Sequence, residues 1–370
     1  CERRIAMMRS RIVMDIDDTI STHRNRDYAN AIPNLDMIRK MQELSKQGVE
    51  FVLYTARGQI SCNGDLKKIE EEKGPTLRAW LKKYNVPYSE LRFGKPIADV
   101  YVDDAAMTPD EFLYGTFESY KGGSNEYIER LGKYVVKECS DADALVVNDW
   151  FNVAAENGYN VPKVYSLTYN KMRMEYIMGR PANEVEFDKY NNVAINLAMI
   201  AISFAGVPGE YEFDLAKYIQ YVATNNVDPE VESYVVQASR LIAKYGHLIT
   251  PSFCHGDLTS MNAIVKGNGK IYLIDPKVHK HFSSYLMDLA KLRMSYNKYN
   301  KMYYTNNKDD DMFLESLDTL LRNLGLYDIV RVLEFTCWVR LIKYRYKNKD
   351  DYAILLPRLA ELSKEMRKYE

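Results

Sequence analysis

Between Arg11 and about Phe117 the apolar positions follow two alternating periods. Ile12-Val13-Met14 is a short unbroken apolar run that delivers Asp15 to its end, the pattern of a buried parallel strand. Leu35, Ile38, Met41 and Leu44 then recur at helical spacing and stop at Gly48, which predicts a helix over 35–47. A second apolar strand is expected at 49–54, a long helix at 66–84, and a third strand at 98–102 running into Asp103-Asp104. Repeated strand and helix units imply a parallel sheet with helices on both faces. Ligands of such sheets bind beyond the carboxyl ends of the strands. That is where the acids and Thr55-Ala56-Arg57 fall.

The pattern changes after Thr108-Pro109, an N-cap-like step into a short helix. A Gly-rich stretch at 121–125 leads into a β-rich section through Val135-Val136-Lys137, then a helix at 142–158 and strands at 164–168 and 173–177. From Asp188 helical spacing dominates, interrupted at 252–276, where the apolar runs 263–265 and 271–274 flank a Gly-Asn-Gly turn and predict a hairpin. The remainder to Tyr369 is helical with charged faces. A domain boundary is expected between Tyr114 and Tyr120, giving an α/β domain over 8–116 and a second domain over 117–370.

Composition narrows the class. A chain of 370 residues with a formal charge of −1 suggests two or three globular domains and no basic surface for nucleic acid. No apolar run nears the ~20 residues of a membrane span. Cys1 to Ser10 lacks the apolar core of a signal peptide, and the natural start is expected near Met7 or Met8. Cys1, Cys62, Cys139, Cys254 and Cys337 are scattered and odd in number, which argues for a reducing, cytoplasmic setting and against a zinc site or a disulfide framework.

Two constellations carry chemistry. Asp15, Asp17 and Asp18 fall within four positions, where like charges repel unless a cation or a reacting phosphate needs them. A carboxylate nucleophile attacking phosphorus needs Mg²⁺ to offset its charge, and a second acid two residues on can protonate the leaving alcohol and then activate water. Asp15 and Asp17 have that spacing; Thr55 and Lys95 can hold phosphoryl oxygens, and Asp103 or Asp104 can complete a hard-oxygen metal shell. The set DIDDT at 15–19, YTAR at 54–57, GKP at 94–96 and YVDDAA at 101–106 resembles the haloacid dehalogenase-like phosphohydrolases. The resemblance implies a Rossmann-like parallel-sheet domain with Asp15 as phosphorylated nucleophile, Asp17 as general acid/base and Thr55 and Lys95 as phosphate binders. It implies Asp15, Asp17, Asp103 and Asp104 around Mg²⁺, with the choice between the last two open. The wording of 63–65 and 93–104 looks most like small phosphatase-like proteins of bacterial capsule biosynthesis. The segments between these motifs are too short for a cap domain, so the domain is expected to be capless, with water excluded by a short flap at 21–28, a partner surface or the substrate.

In the second constellation, His255-Gly256-Asp257 precedes Asn262, and Asp275 follows the predicted hairpin. A kinase needs an acid to orient and deprotonate the acceptor hydroxyl, plus an amide and an acid to hold Mg²⁺ on the nucleotide phosphates. The run resembles the aminoglycoside phosphotransferase and choline kinase-like family, which implies a bilobal protein-kinase-like (α+β) fold over about 117–369. By that resemblance Asp257 is the catalytic base, Asn262 and Asp275 hold Mg²⁺, Lys137 pairs with ATP phosphates, and Glu175 to Ile177 contact adenine. Asp288 would brace the loop and His255 would shape it, while the acid that clamps Lys137 is left open between Asp149 and Glu156.

Together these readings predict a bifunctional enzyme. An Mg²⁺-dependent phosphomonoester hydrolase is joined to an ATP-dependent kinase acting on a hydroxyl of a sugar, polyol or amino alcohol, in a surface-polysaccharide precursor setting implied by resemblance. The alternative is a phosphatase regulated by a nucleotide-sensing pseudokinase. The partners expected are small phosphomonoesters and alcohols, with room for a homo-oligomer. For the acceptor pocket, 187–245 offers Asp214, Glu230 and Glu232 but no decisive acidic cluster.

Overall fold

The structure, a computed structural model, describes residues 7–370 except 24–26, 102, 104, 122–126, 169, 224–228, 304–306 and 346–347, and except the side chains of 120, 121, 141, 168, 229 and 230. The apolar run at the start becomes β1 (Arg11–Met14), after which a short antiparallel ribbon of β2 (Ser21–Thr22) and β3 (Ile32–Pro33) leads to α1 (Leu35–Lys46). Asn34 caps α1 by accepting the Met37 N–H at 3.2 Å. Gly48 ends the turn at φ +103°, where any Cβ would run into the Met8 carbonyl. Then β4 (Glu50–Thr55), α2 (Leu66–Lys83) and β5 (Glu90–Phe93) complete a three-stranded, all-parallel sheet in the order β1-β4-β5.

Two expectations change in this sheet. Residues 98–101 form no strand, and 102 and 104 lie outside the described residues. The third strand is instead 90–93, because Leu91 and Phe93 can pack on the core while Ile97, Val100 and Tyr101 stay exposed. Among the described residues β1 pairs with β4 alone, and it buries Met14 but leaves Val13 63% exposed. In α1 the buried face starts at Met37, not at the exposed Leu35.

A capping box between Thr108 and Glu111 starts α3 (Pro109–Tyr114), as the Thr-Pro step predicts. The chain then builds β6 (Phe117–Lys121), β7 (Tyr127–Leu131) and β8 (Tyr134–Glu138), enters α4 (Asp141–Glu156), and returns with β9 (Val164–Thr168) and β10 (Lys171–Glu175). These strands form an antiparallel sheet ordered β6-β7-β8-β10-β9. The contacts divide the chain into two compact units: Glu2–Asp141 with Val164–Tyr176, and Ala142–Lys163 with Ile177–Glu370.

In the first unit one apolar core holds Ile16, Ile20, Phe51, Leu53 and Trp80 together with Phe112 and Phe117. Phe112 and Phe117 meet edge to face at 5.2 Å. The buried Glu129 of β7 accepts the Arg9 N–H at 2.6 Å and the Ser10 hydroxyl, and Lys133 pairs with Glu111 at 2.8 Å.

The second unit is mainly helical. After α4 it contains β11 (Arg180–Pro181), α5 (Val193–Ser203), α6 (Leu215–Ala223), α7 (Pro229–Tyr245), the expected hairpin β12 (Ala263–Val265) and β13 (Ile271–Leu273), and α8 (Tyr285–Met294). It closes with α9 (Asn300–Tyr303), α10 (Asp310–Asn323), α11 (Tyr327–Arg340), α12 (Ile342–Arg345) and α13 (Lys349–Met366). Among the described residues no helix is long and apolar enough to cross a membrane. Among the described residues Cys62, Cys254 and Cys337 are buried thiols outside any disulfide.

A buried charge network ties α8, α10 and α11 together. Arg293 donates to Asp318 at 2.7 and 2.8 Å and to Glu334, which also receives Arg331 at 2.8 Å and Asn297 at 2.7 Å. Burial pushes the Glu334 carboxyl up, but the two guanidinium groups overcome it and bring it down to about 2. Glu334→Ala should cost about 3–5 kcal/mol in urea denaturation, because it strands buried cations. A depressed carboxyl contributes stability that is complete above its unfolded value of 4.5 and lost as pH falls towards about 2. The denaturation midpoint of Glu334→Gln should accordingly vary less than wild type over that window.

Candidate functional site

In the first unit the residues past β1 and β4 converge. The carbonyl of Ile16 receives the N–H groups of Ile20 and Ser21, both at 3.0 Å, and Asp18 turns through φ +58°, so the chain doubles back directly after Asp17. Asp15 meets Lys95, whose ammonium lies 2.8 Å from its carboxylate. Lys95 is placed by its backbone, which donates to the Thr55 carbonyl at 3.1 Å. Thr55 is fully buried at the end of β4, and its hydroxyl accepts the Arg57 N–H at 3.1 Å.

Asp17 is gripped by Arg57, which donates from Nε at 3.0 Å to both oxygens and from Nη2 at 2.7 Å. His23 of the flap lies 3.7 Å from the same carboxylate and contacts Tyr28, whose ring also stacks under Arg57 at 4.5 Å. Asp15 and Asp17 thus each face a cation, which offsets their share of the charge repulsion read from the sequence. Asp103 is exposed and accepts the Ala105 N–H at 2.6 Å, and Asp104 lies outside the described residues. Among the described residues no group of three metal-ligating side chains is assembled.

In the second unit the loop after Cys254 is built on Asp288 of α8. That buried carboxylate accepts the N–H groups of His255 at 2.6 Å and Gly256 at 2.8 Å. Burial raises Asp288 to about 7 against those two donors. His255 is fully buried, its Nε2 donates to the Ile274 carbonyl at 2.9 Å, and burial lowers it to about 4, so it is neutral. Trp150 of α4 packs edge-on to it at 5.2 Å and donates to the Cys254 carbonyl at 2.7 Å.

Asp257 follows, held by Lys291 at 2.8 Å on one oxygen and by the Asn262 amide at 3.2 Å on the other. Burial alone would raise its carboxyl, and the Lys291 ammonium reverses this and holds it below the ordinary carboxylate range. Asn262 donates a second bond to the Asp257 carbonyl at 2.8 Å, and its own carbonyl receives the Ile274 N–H at 2.9 Å. That bond sets the hairpin end so that Asp275 turns through φ +56°, a conformation rare outside glycine, with Lys277 3.4 Å from its carboxylate. The Asn262 amide oxygen and the Asp275 carboxylate are the hard donors that suit Mg²⁺.

Lys137 lies half-buried on β8 opposite Met172, and Glu175 ends β10, both in the first unit; Ile177, buried, belongs to the second. Gly122 and Gly123 lie outside the described residues. Asp149 and Glu156 are exposed on α4. The sequence reading missed two residues, Arg57 and Lys291. Arg57 stood inside the quoted Thr-Ala-Arg, and Lys291 is three positions after Asp288, on the same helix face.

Gly256 sits at φ +77°, and a Cβ there would overlap the Lys277 carbonyl oxygen. Gly256→Ala should lower stability by at least about 2 kcal/mol, the left-handed cost plus displacement of the Asp275 turn. The thermal midpoint of the full chain measures it.

No protein-family model matches the chain, and no curated relative does. Among solved structures, a thermostable mutant of aminoglycoside phosphotransferase APH(4)-Ia is 14% identical over 68% of this chain and 94% of its own, with a TM-score of 0.53. The choline kinase LicA of Streptococcus pneumoniae is 17% identical over 68% of this chain and 94% of its own, at TM-score 0.47. A Vibrio cholerae protein is 34% identical over 29% of this chain and 89% of its own, at TM-score 0.28. The first of these likenesses gives the conclusion that the chain has a kinase-like fold, of the aminoglycoside phosphotransferase type, over about 68% of its length.

Proposed function

We propose that the chain is an ATP-dependent small-molecule kinase joined to a capless phosphatase, with modules at 117–370 and 8–116. The observation that carries the kinase reading is the Asp257 loop, in which one acid is held ionised by Lys291 and oriented by Asn262 while Asp288 fixes the backbone behind it. In this reading Asp257 accepts the proton of the acceptor hydroxyl as it attacks the terminal phosphoryl group. Asn262 and Asp275 would hold Mg²⁺, which offsets charge on the nucleotide phosphates when bound. Lys137 would pair with those phosphates, and the backbone from Glu175 to Ile177 would meet adenine. An intact Asp257, Asn262 and Asp275 favours transfer over mere nucleotide sensing.

The phosphatase reading rests on the meeting of Asp15 with Lys95 and of Asp17 with Arg57 past β1 and β4. Asp15 would take the phosphoryl group and Asp17 would protonate the leaving alcohol, with Thr55 and Lys95 holding phosphoryl oxygens. Mg²⁺ at Asp15, Asp17 and Asp103 or Asp104 would require Asp15 and Asp17 to exchange their present cations for the metal. A role in surface-polysaccharide precursor synthesis follows from motif resemblance.

Asp257→Asn should abolish acceptor-stimulated ADP release, a loss of about 10²–10⁴. Lys291→Met should move the acidic limb of the kcat/KM profile to higher pH, since the cation that depresses Asp257 is gone. Hydrolysis of p-nitrophenyl phosphate should vanish in Asp15→Asn; survival would overturn the assigned nucleophile.

A further inference from the structure

Beside the Asp257 loop the second unit presents cations that its own acids do not neutralise. Asp257 is taken by Lys291, and Asp275 lies 3.4 Å from Lys277. One helix away, Arg340 at the end of α11 lies within electrostatic reach of Lys291. It donates to the Tyr221 hydroxyl at 3.0 Å and stacks over that ring at 4.6 Å. Lys343 lies 5.7 Å from the same ring. Among the described residues neither Arg340 nor Lys343 forms an ion pair with a carboxylate, and Arg340 Nε is buried without a hydrogen-bond partner.

The surroundings keep this charge uncompensated. Tyr221 is backed by Phe282 at 5.3 Å and by His279 at 6.3 Å. His279 faces Arg340, Lys291, Lys277 and Asp257; burial and then the neighbouring cations lower it to about 4, so at neutral pH it supplies no charge. Glu334, one turn and a half before Arg340, is spent on Arg293 and Arg331. The acids that 187–245 offers to an acceptor pocket form no cluster beside these cations among the described residues. Asp214 caps α6 through the Lys217 N–H at 2.9 Å and pairs with the Lys217 ammonium at 3.2 Å, Glu232 is exposed on α7, and the side chain of Glu230 is outside the described set.

A desolvated guanidinium without an anion is costly, and its planar fork suits an oxyanion. We infer that the acceptor alcohol carries an oxyanion, a phosphate or a carboxylate, bound by Arg340 and Lys343 over Tyr221 while its hydroxyl faces Asp257. This rests on the kinase reading of the Asp257 loop. It also separates the chain from acceptors such as choline, whose charge has the opposite sign.

Acceptor-dependent ADP release by the full chain tests this with matched probes: glycerol against glycerol 3-phosphate and D-glycerate, glucose against glucose 6-phosphate and glucosamine, and choline. The inference expects at least tenfold higher kcat/KM for an anionic member of a set than for its neutral or cationic counterparts, with the phosphate and carboxylate arms telling the two oxyanions apart. A neutral or cationic probe that outperforms its anionic counterpart overturns the inference and leaves the kinase reading standing. Absence of stimulated turnover by every probe overturns both. Lys343→Gln, an exposed change, and Arg340→Gln should each raise KM for the anionic acceptor about tenfold with KM for ATP unmoved; an unchanged acceptor KM in Lys343→Gln overturns the assigned contact even if Arg340→Gln does not fold.

Discussion

The kinase-like unit depends on one buried carboxylate. Asp288 does no chemistry in this scheme, yet it takes the two backbone N–H groups of His255 and Gly256, and those bonds fix the direction in which the next residue leaves the loop. Backbone donors without a partner in a buried loop would cost on the order of 1–3 kcal/mol each. A helix supplies the acceptor here, so the loop inherits the rigidity of α8. Lys291, one turn further along the same helix, then sets the charge of Asp257. One helical turn therefore both aims and ionises the acid.

The two centres answer the problem of clustered acids differently. Around Asp257 the carboxylates are shared among Asn262, Lys277 and Lys291, and a peptide turn at Asp275 holds the second acid apart from the first. Past β1 Asp15 and Asp17 instead each have a private cation, Lys95 for Asp15 and a bidentate Arg57 for Asp17. The guanidinium that grips Asp17 is itself buried, which makes that pair the stiffer of the two.

Much of this was legible in the chain because periodicity and loop chemistry are local. The helix at 35–47, the hairpin after Asn262 and the Thr108 cap all appear near where the residue pattern puts them. Residues 98–101 of the third expected strand do not, because an apolar run states a preference for burial and not which segment pairs with β4; Leu91 and Phe93 do so. β1 is likewise less buried than its apolar run suggests, with Val13 63% exposed, since burial is set by what packs on the strand and not by the run itself. Arg57 and Lys291 escaped notice because an ion pair is a fact of three-dimensional approach, although both stood within a few positions of residues already singled out.

The shared core at Phe112 and Phe117 has a consequence for how the chain behaves as a material. Phe117 begins the antiparallel sheet, yet its ring belongs to the same apolar cluster as Trp80 and Phe51, and Glu129 of that sheet anchors the backbone at Arg9 and Ser10. Cutting the polypeptide at 116/117 would therefore open a hydrophobic face on both fragments and leave a buried glutamate with the Tyr127 hydroxyl but without the Arg9 and Ser10 donors. The parallel and antiparallel sheets should melt together, as one cooperative block, and a gene encoding either alone would yield a protein prone to aggregate.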